Sequence, residues 1–191
     1  MADPAVRLAG AVLVGGHSRR MGRDKAMLEV DGHPMAERVA RALEAAGVSD
    51  VVFVGGDARP LGRRHLADRY PGQGPLGGLL TALGGLEADL VVVAACDLPW
   101  LDAATIEALL SGLGTADVAV ARTDRLEPLC GMWRRSTTLE VVESAFAGGE
   151  RAIHRALAGL RVVEVPVAPR ALTNVNAPED LLETDERDSA G

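Results

Sequence analysis

Seven consecutive apolar residues, Leu90–Cys96 (LVVVAAC), constrain this chain more than any other feature in it. A strand with one wet face alternates apolar and polar residues. An unbroken run means a strand buried on both faces, and such strands belong to mostly parallel sheets covered by helices on both sides. Similar short runs recur along the chain. Arg7–Val14 (RLAGAVLV) ends in Gly15-Gly16, and Val51–Val54 also ends in two glycines. Val118–Ala121 and Val162–Val167 follow, with Pro166 marking an edge or a strand end. Between these runs lie helical patterns. Pro34–Ala46 repeats apolar residues at Met35, Val39, Ala42 and Leu43 and is closed by Gly47. Leu76–Leu86 is started by Pro75, and Asp102–Leu113 has Asp102 as its expected N-cap. Ser136–Ala147, Arg151–Ala158 and Pro178–Leu182 complete the helices. The alternation predicts an α/β fold: three layers, α/β/α, around a mostly parallel, Rossmann-like sheet with right-handed crossovers. One domain over 1–191 is expected, with an ordered core of about 6–183 and a polar tail. Ligands of such sheets bind beyond the carboxyl ends of the strands.

Charge narrows the ligand. The net charge is -7, so the chain lacks the basic surface that wraps nucleic acid or attracts an anionic membrane. The first residues, MADPAVRLAG, carry an acid and no basic segment ahead of an apolar run, so no signal peptide is expected. No apolar run approaches the ~18 residues of a membrane span. The expected location is cytoplasmic. Cys96 and Cys130 lie in apolar sequence without metal-ligand spacing and read as buried thiols.

On this acidic background one segment gathers positive charge. Leu13–Lys25 reads LVGGHSRRMGRDK. Gly15 and Gly16 let a ligand approach the backbone, whose successive N–H groups form an anion nest. Arg19, Arg20, Arg23 and Lys25 add charge, and Lys25 is the only lysine in the chain. The segment therefore reads as a cradle for the phosphates of a nucleoside triphosphate. It contains neither GxxxxGK[ST] nor GxGxxG, so it is not a Walker A loop or a dinucleotide fingerprint. Asp97 follows the central strand and precedes Leu98-Pro99. A carboxylate there can hold Mg²⁺ together with phosphate oxygens and water, or can serve as a turn residue. Gly62–Pro75 is the one long irregular stretch, a length often used functionally. Asn174 and Asn176 are the only asparagines, and in extended chain their side chains point the same way. They could equally form a turn that caps the last helix.

The order L-x-GG-x-S-x-RMG-x-DK, GQGPLGG (Gly72–Gly78), CDLP (Cys96–Pro99), EPLCGMWRR (Glu127–Arg135) and NVNAPED (Asn174–Asp180) resembles the molybdenum cofactor guanylyltransferases over nearly the whole chain. The resemblance implies that Leu13, Val14, Gly15, Gly16, Arg20, Lys25, Asp68 and Asp97 bind the nucleotide. It implies that Asp68 meets the guanosine and that Asp97 is the Mg²⁺ ligand. Asn174 and Asn176 would contact a molybdopterin-type pterin, whose edge of alternating donors and acceptors suits paired amides. Arg20, Lys25 and Asp97 would be the catalytic residues. Two departures stand out: Val14 replaces the usual Ala, and Gly55 stands where the family often has Asn.

The implied reaction moves GMP from GTP to the pterin phosphate with release of pyrophosphate. A phosphate monoester is already an anion, so no general base is needed, and positioning with charge neutralisation would suffice. Transient contact with proteins of cofactor biosynthesis or molybdoenzyme maturation is also implied. A cytidylyltransferase of the same pterin, a sugar-1-phosphate nucleotidyltransferase, and a GTP-binding sensor or carrier without turnover remain as alternatives. No chemistry follows from the sequence for Glu127, Arg134, Arg135 or the four histidines.

Overall fold

The structure is a computed structural model that describes residues 6–15, 25–56, 61–177 and 179–180. Strand β1 (Leu8–Leu13) is followed by a small hairpin, β2 (Glu29–Val30) and β3 (His33–Pro34), then by helix α1 (Met35–Ala45) and strand β4 (Asp50–Val54). The short strand β5 (His65–Leu66) precedes α2 (Pro75–Gly85), β6 (Leu90–Ala95) and α3 (Ala103–Gly112). Strands β7 (Val118–Arg122) and β8 (Leu126–Arg134), helices α4 (Arg135–Ala147) and α5 (Ile153–Ala156), and strand β9 (Val162–Pro166) complete the order.

Seven strands form the main sheet in the order β5-β4-β1-β6-β8-β7-β9. The pairs β4–β5, β1–β4, β1–β6 and β7–β9 are parallel, and β8 runs antiparallel between β6 and β7. Every residue of β6 is buried, as its unbroken apolar run predicts. Val92 and Ala94 pack with Val39 and Leu43 of α1 and Ile106 and Leu109 of α3. Val91 and Val93 face the other way, onto Leu76, Leu79 and Leu83 of α2 and Val142 of α4. Each such valine, leucine or isoleucine side chain stabilises the fold by about 1.5–3 kcal/mol through burial. The result is the three-layer α/β fold expected from the sequence.

Several local expectations hold. The Asp102 side chain accepts from the Thr105 amide at 2.8 Å and caps α3. Pro166 ends β9, which is an edge strand. Both cysteines are buried, and burial pushes the Cys130 thiol up to about 12. The helix expected over Arg151–Ala158 is shorter, four residues followed by a 3-10 turn at Leu157–Gly159.

The sequence reading contained neither the hairpin nor β8. Strand β8 holds Pro128 and Gly131, which hide its pattern. The structure accommodates Pro128 where the β7–β8 register shifts between Val120 and Ala121, so its missing N–H interrupts an already broken ladder. Most of the expected final helix, Pro178–Leu182, lies outside the described residues. Among the described residues no helix is long and apolar enough to cross a membrane.

Candidate active site

The carboxyl ends of β1, β4 and β6 lie side by side, and the candidate residues gather there. Val14 is still part of the sheet, with its amide donating to the Val54 carbonyl at 3.0 Å. The Leu13 carbonyl accepts from the Cys96 amide at 3.1 Å, which locks the turn carrying Asp97 against β1. Gly15 is the first exposed residue beyond the strand. Glycine is required at this crossing for steric reasons. A Cβ on Gly15 would stand 3.2 Å from the Gly56 nitrogen, and one on Gly56 would stand 2.6 Å from the Val14 carbonyl oxygen. Gly56 also has φ +59°, a conformation that L side chains rarely adopt. Gly16 and Arg20, with the neighbouring Arg19 and Arg23, lie outside the described residues.

Asp68 sits beside this crossing, its Cβ 3.6 Å from where a Gly55 side chain would begin. Its Oδ1 accepts from the Tyr70 amide at 2.8 Å and from Thr81 Oγ1 at 3.4 Å. The loop that carries it is anchored. Strand β5 pairs with β4, and His65 Nε2 donates to the Gly55 carbonyl at 2.9 Å. Arg63 binds Glu37 on α1 at 2.7 and 2.9 Å and Glu44 at 2.5 and 3.0 Å. Asp68 is thus a turn-forming acid held at the mouth of the glycine crossing.

Asp97 occupies the turn after β6. Lys25 Nζ donates to Asp97 Oδ2 at 2.8 Å and to Asn176 Oδ1 at 2.8 Å. The side chains of Lys25 and Asp97 are 16% and 21% exposed, so their charges are largely withdrawn from water. Asp97 Oδ1 is buried and has no hydrogen-bond partner among the described residues. A buried carboxylate oxygen without a donor is costly, and it is the hard oxygen that Mg²⁺ takes as ligand. Among the described residues no group of three or more His, Cys, Asp or Glu is placed to hold a metal. The buried Asp97 oxygen fits an Mg²⁺ ion that takes one protein carboxylate and is completed by phosphate and water.

The Asn segment is positioned by backbone and core. The Val175 amide donates to the Asp97 carbonyl at 2.9 Å, and the Val175 side chain packs with Val30 and Met35. Asn174 and Asn176 are exposed on either side of it, the alternation of extended chain. The turn that follows is capped by Asp180, whose Oδ2 accepts from the amides of Asn176 at 2.6 Å and Ala177 at 3.0 Å. The asparagine side chains are not used for that purpose.

Three residues without a sequence-based role separate here. Arg134 and Arg135 are structural ties at the far end of β8. They donate to the Gly114 and Ala116 carbonyls and to the Leu83 carbonyl, respectively. Glu127 is the second residue of β8. Burial raises its carboxyl above the usual range, and the nearby Asp97 charge adds to the effect. An acid inside an otherwise apolar strand was its only signal in the sequence.

Comparison with known proteins adds an independent line. The family described as the MobA-like NTP transferase domain matches residues 10–162. A probable molybdenum cofactor guanylyltransferase of Opitutus terrae is 37% identical, the match covering 94% of this chain and 96% of that protein. The molybdenum cofactor guanylyltransferase of Rhodobacter capsulatus is 34% identical, covering 95% and 97%. The crystal structure of molybdopterin-guanine dinucleotide biosynthesis protein A from Archaeoglobus fulgidus superposes with a TM-score of 0.75 at 28% identity, covering 96% and 100% of the two chains.

Proposed function

The chain belongs to the MobA-like NTP transferase domain family, and from that membership we infer that it is a nucleotidyltransferase that moves GMP from GTP to molybdenum-bound molybdopterin, releasing pyrophosphate. The convergence of Lys25, Asp97 and Asn176 at the carboxyl ends of the central strands is the observation that carries this reading. Three segments far apart in sequence meet at one ammonium group.

In the reaction an oxygen of the pterin's terminal phosphate attacks the α-phosphorus of GTP. The bond from that phosphorus to the bridging oxygen breaks, and pyrophosphate leaves with the electron pair. The exposed Gly15 and the Gly55–Gly56 crossing let the nucleotide lie close to the backbone. Asp68 accepts N–H or O–H donors of guanosine. Lys25 turns from Asp97 toward the phosphates and offsets their charge, aided by Arg20. Asn174 and Asn176 orient the pterin. Asp97 would hold a divalent ion such as Mg²⁺, which would supply further neutralisation of the phosphate oxygens. Catalysis of this kind depends on positioning and electrostatics rather than on a general base.

A thermal-shift panel of GTP, CTP, ATP and UTP with Mg²⁺ tests the donor. At a concentration of about 100 times Kd, the preferred nucleotide stabilises the fold by about 2.7 kcal/mol. GTP is expected to give the largest shift, and only GTP should support pyrophosphate release in the presence of molybdopterin. A larger shift with CTP, or no pyrophosphate with GTP and the pterin, would overturn the assignment.

A further inference from the structure

Lys25 does not lie on a strand of the main sheet. It opens a short 3-10 turn, Lys25–Met27, that leads into the β2–β3 hairpin. Its reach to Asp97 therefore depends on what fixes the hairpin against the turn after β6. At the base of the hairpin the Met35 amide donates to the Leu28 carbonyl at 2.8 Å, and the Leu28 amide donates to the Lys25 carbonyl at 3.1 Å. These bonds join Lys25, the hairpin and the start of α1 into one piece.

Arg38 of α1 ties that piece to the turn that carries Asp97. Its Nε donates to the Pro99 carbonyl at 2.9 Å. Its Nη1 donates to the Val30 carbonyl at 3.3 Å and to Asp31 Oδ2 at 2.8 Å. Two of these acceptors are backbone carbonyls, one on each segment, so the rigid guanidinium plane fixes their separation. The Arg38 side chain is 23% exposed and that of Asp31 74%, so the ion pair adds little and the carbonyl contacts carry the tie. The mechanism gives this tie a task. Before nucleotide binds, Lys25 itself bridges the hairpin to Asp97. When it turns to the phosphates that bridge opens, and Arg38 still spans the two segments through backbone groups.

We propose that Arg38 is the positioning residue of Lys25, holding the hairpin against the Asp97 turn so that the ammonium stays within reach of carboxylate and phosphates alike. This rests on the nucleotidyl-transfer reading for its catalytic meaning, but the placement of Lys25 can be measured without either substrate. Lys25 is the only lysine of the chain, so a lysine-directed reagent read by peptide mass spectrometry reports on one side chain. The probe is trinitrobenzenesulfonate on the nucleotide-free protein well below its Tm. The Lys25 side chain is 16% exposed and bonded to two acceptors, so Nζ reacts when it leaves them. Arg38→Met keeps much of the apolar stem and removes the guanidinium. It is expected to raise the rate of Lys25 modification about tenfold, and Arg38→Lys by less, since an ammonium lacks the planar fork. Asp117→Asn, beside Arg134 at the far end of the sheet, is the control for lost stability and should react as wild type does. A rate in Arg38→Met within about twofold of wild type overturns the proposal, and so does an equal rise in Asp117→Asn. If Arg38→Met does not fold, an unchanged rate in Arg38→Lys overturns it equally. In turnover, Arg38→Met should lower kcat/KM for GTP about tenfold in the wild-type background and hardly at all in Lys25→Ala, and equal losses in both would overturn it. Faster Lys25 modification with no guanylyl transfer by the wild type would leave this inference standing and remove the functional one.

Discussion

Lys25 is where residue chemistry is most concentrated. Its ammonium holds Asp97 and Asn176 together, and the mechanism asks the same group to meet phosphate. Replacing it therefore has two separable effects. Lys25→Ala should lower kcat/KM for GTP by about 10²–10³, the usual cost of losing one preorganised charge contact. It should also lower stability by about 1–3 kcal/mol, because the Asp97 carboxylate then lacks a partner among the described residues on both oxygens. Steady-state kinetics and thermal unfolding check the two parts. Asp97→Ala releases the ammonium and is expected to abolish Mg²⁺-dependent turnover. Turnover that stays Mg²⁺-dependent at the wild-type rate in Asp97→Ala would sink the metal assignment.

The element that matters most for nucleotide approach is the crossing of the β1 and β4 ends. It depends on backbones that no side chain separates. Gly56→Ala puts a Cβ 2.6 Å from the Val14 carbonyl oxygen at a φ of +59°. Gly32, in the turn between β2 and β3, has φ +73° and nothing within 4 Å. Gly32→Ala should cost only the left-handed conformation, about 1–2 kcal/mol. Gly56→Ala should cost about 1–3 kcal/mol more, since the strand ends must also move apart. Denaturant unfolding of the pair tests the difference, and equal losses would show that the crossing is not tightly packed. For α3, Asp102→Ala should cost about 1 kcal/mol through the lost cap. At this scale the sequence was legible wherever burial followed a simple period. Strand β8 was not, because Pro128 and Gly131 break the pattern and its partners come from distant chain segments.

At the scale of the whole molecule, ion pairs join segments that packing alone leaves at the margin. Asp117, at the entry to β7, is bound by Arg161 at the entry to β9 through the Arg161 amide at 2.9 Å, Nε at 3.0 Å and Nη2 at 2.7 Å. Arg161 holds the Asp117 carboxyl well below the usual range. Arg63 likewise lowers Glu37 and Glu44 where it ties the Asp68 loop to α1. Depressed carboxyls bind protons more readily in the unfolded chain, so stability must fall with acidification. Their contribution is complete above the unfolded value of about 4 and is lost as pH drops below it. Tm should therefore be flat with respect to these groups near neutrality and decline below about pH 4. Asp117→Asn should lower Tm at pH 7 and show a shallower decline in acid. An acid limb as steep as that of the wild type would mean that the pair contributes nothing.

The sequence by itself determined the α/β layering and the apolar strands of the sheet, though not β5 or β8, and it singled out the candidate site residues. Lys25, Asp97 and Asn176 could be named from the chain, because a sole lysine, an acid closing an apolar strand and a rare amide each depart from their local surroundings. Two things were decided only in three dimensions. One is that Lys25 bonds to Asp97 and Asn176, which lie 72 and 151 residues away, since no periodicity reports on contacts at that separation. The other is the place of Glu127. An acid in a strand of unreadable pattern has no meaning until the fold buries it, since burial raises its carboxyl and the Asp97 charge adds to the effect.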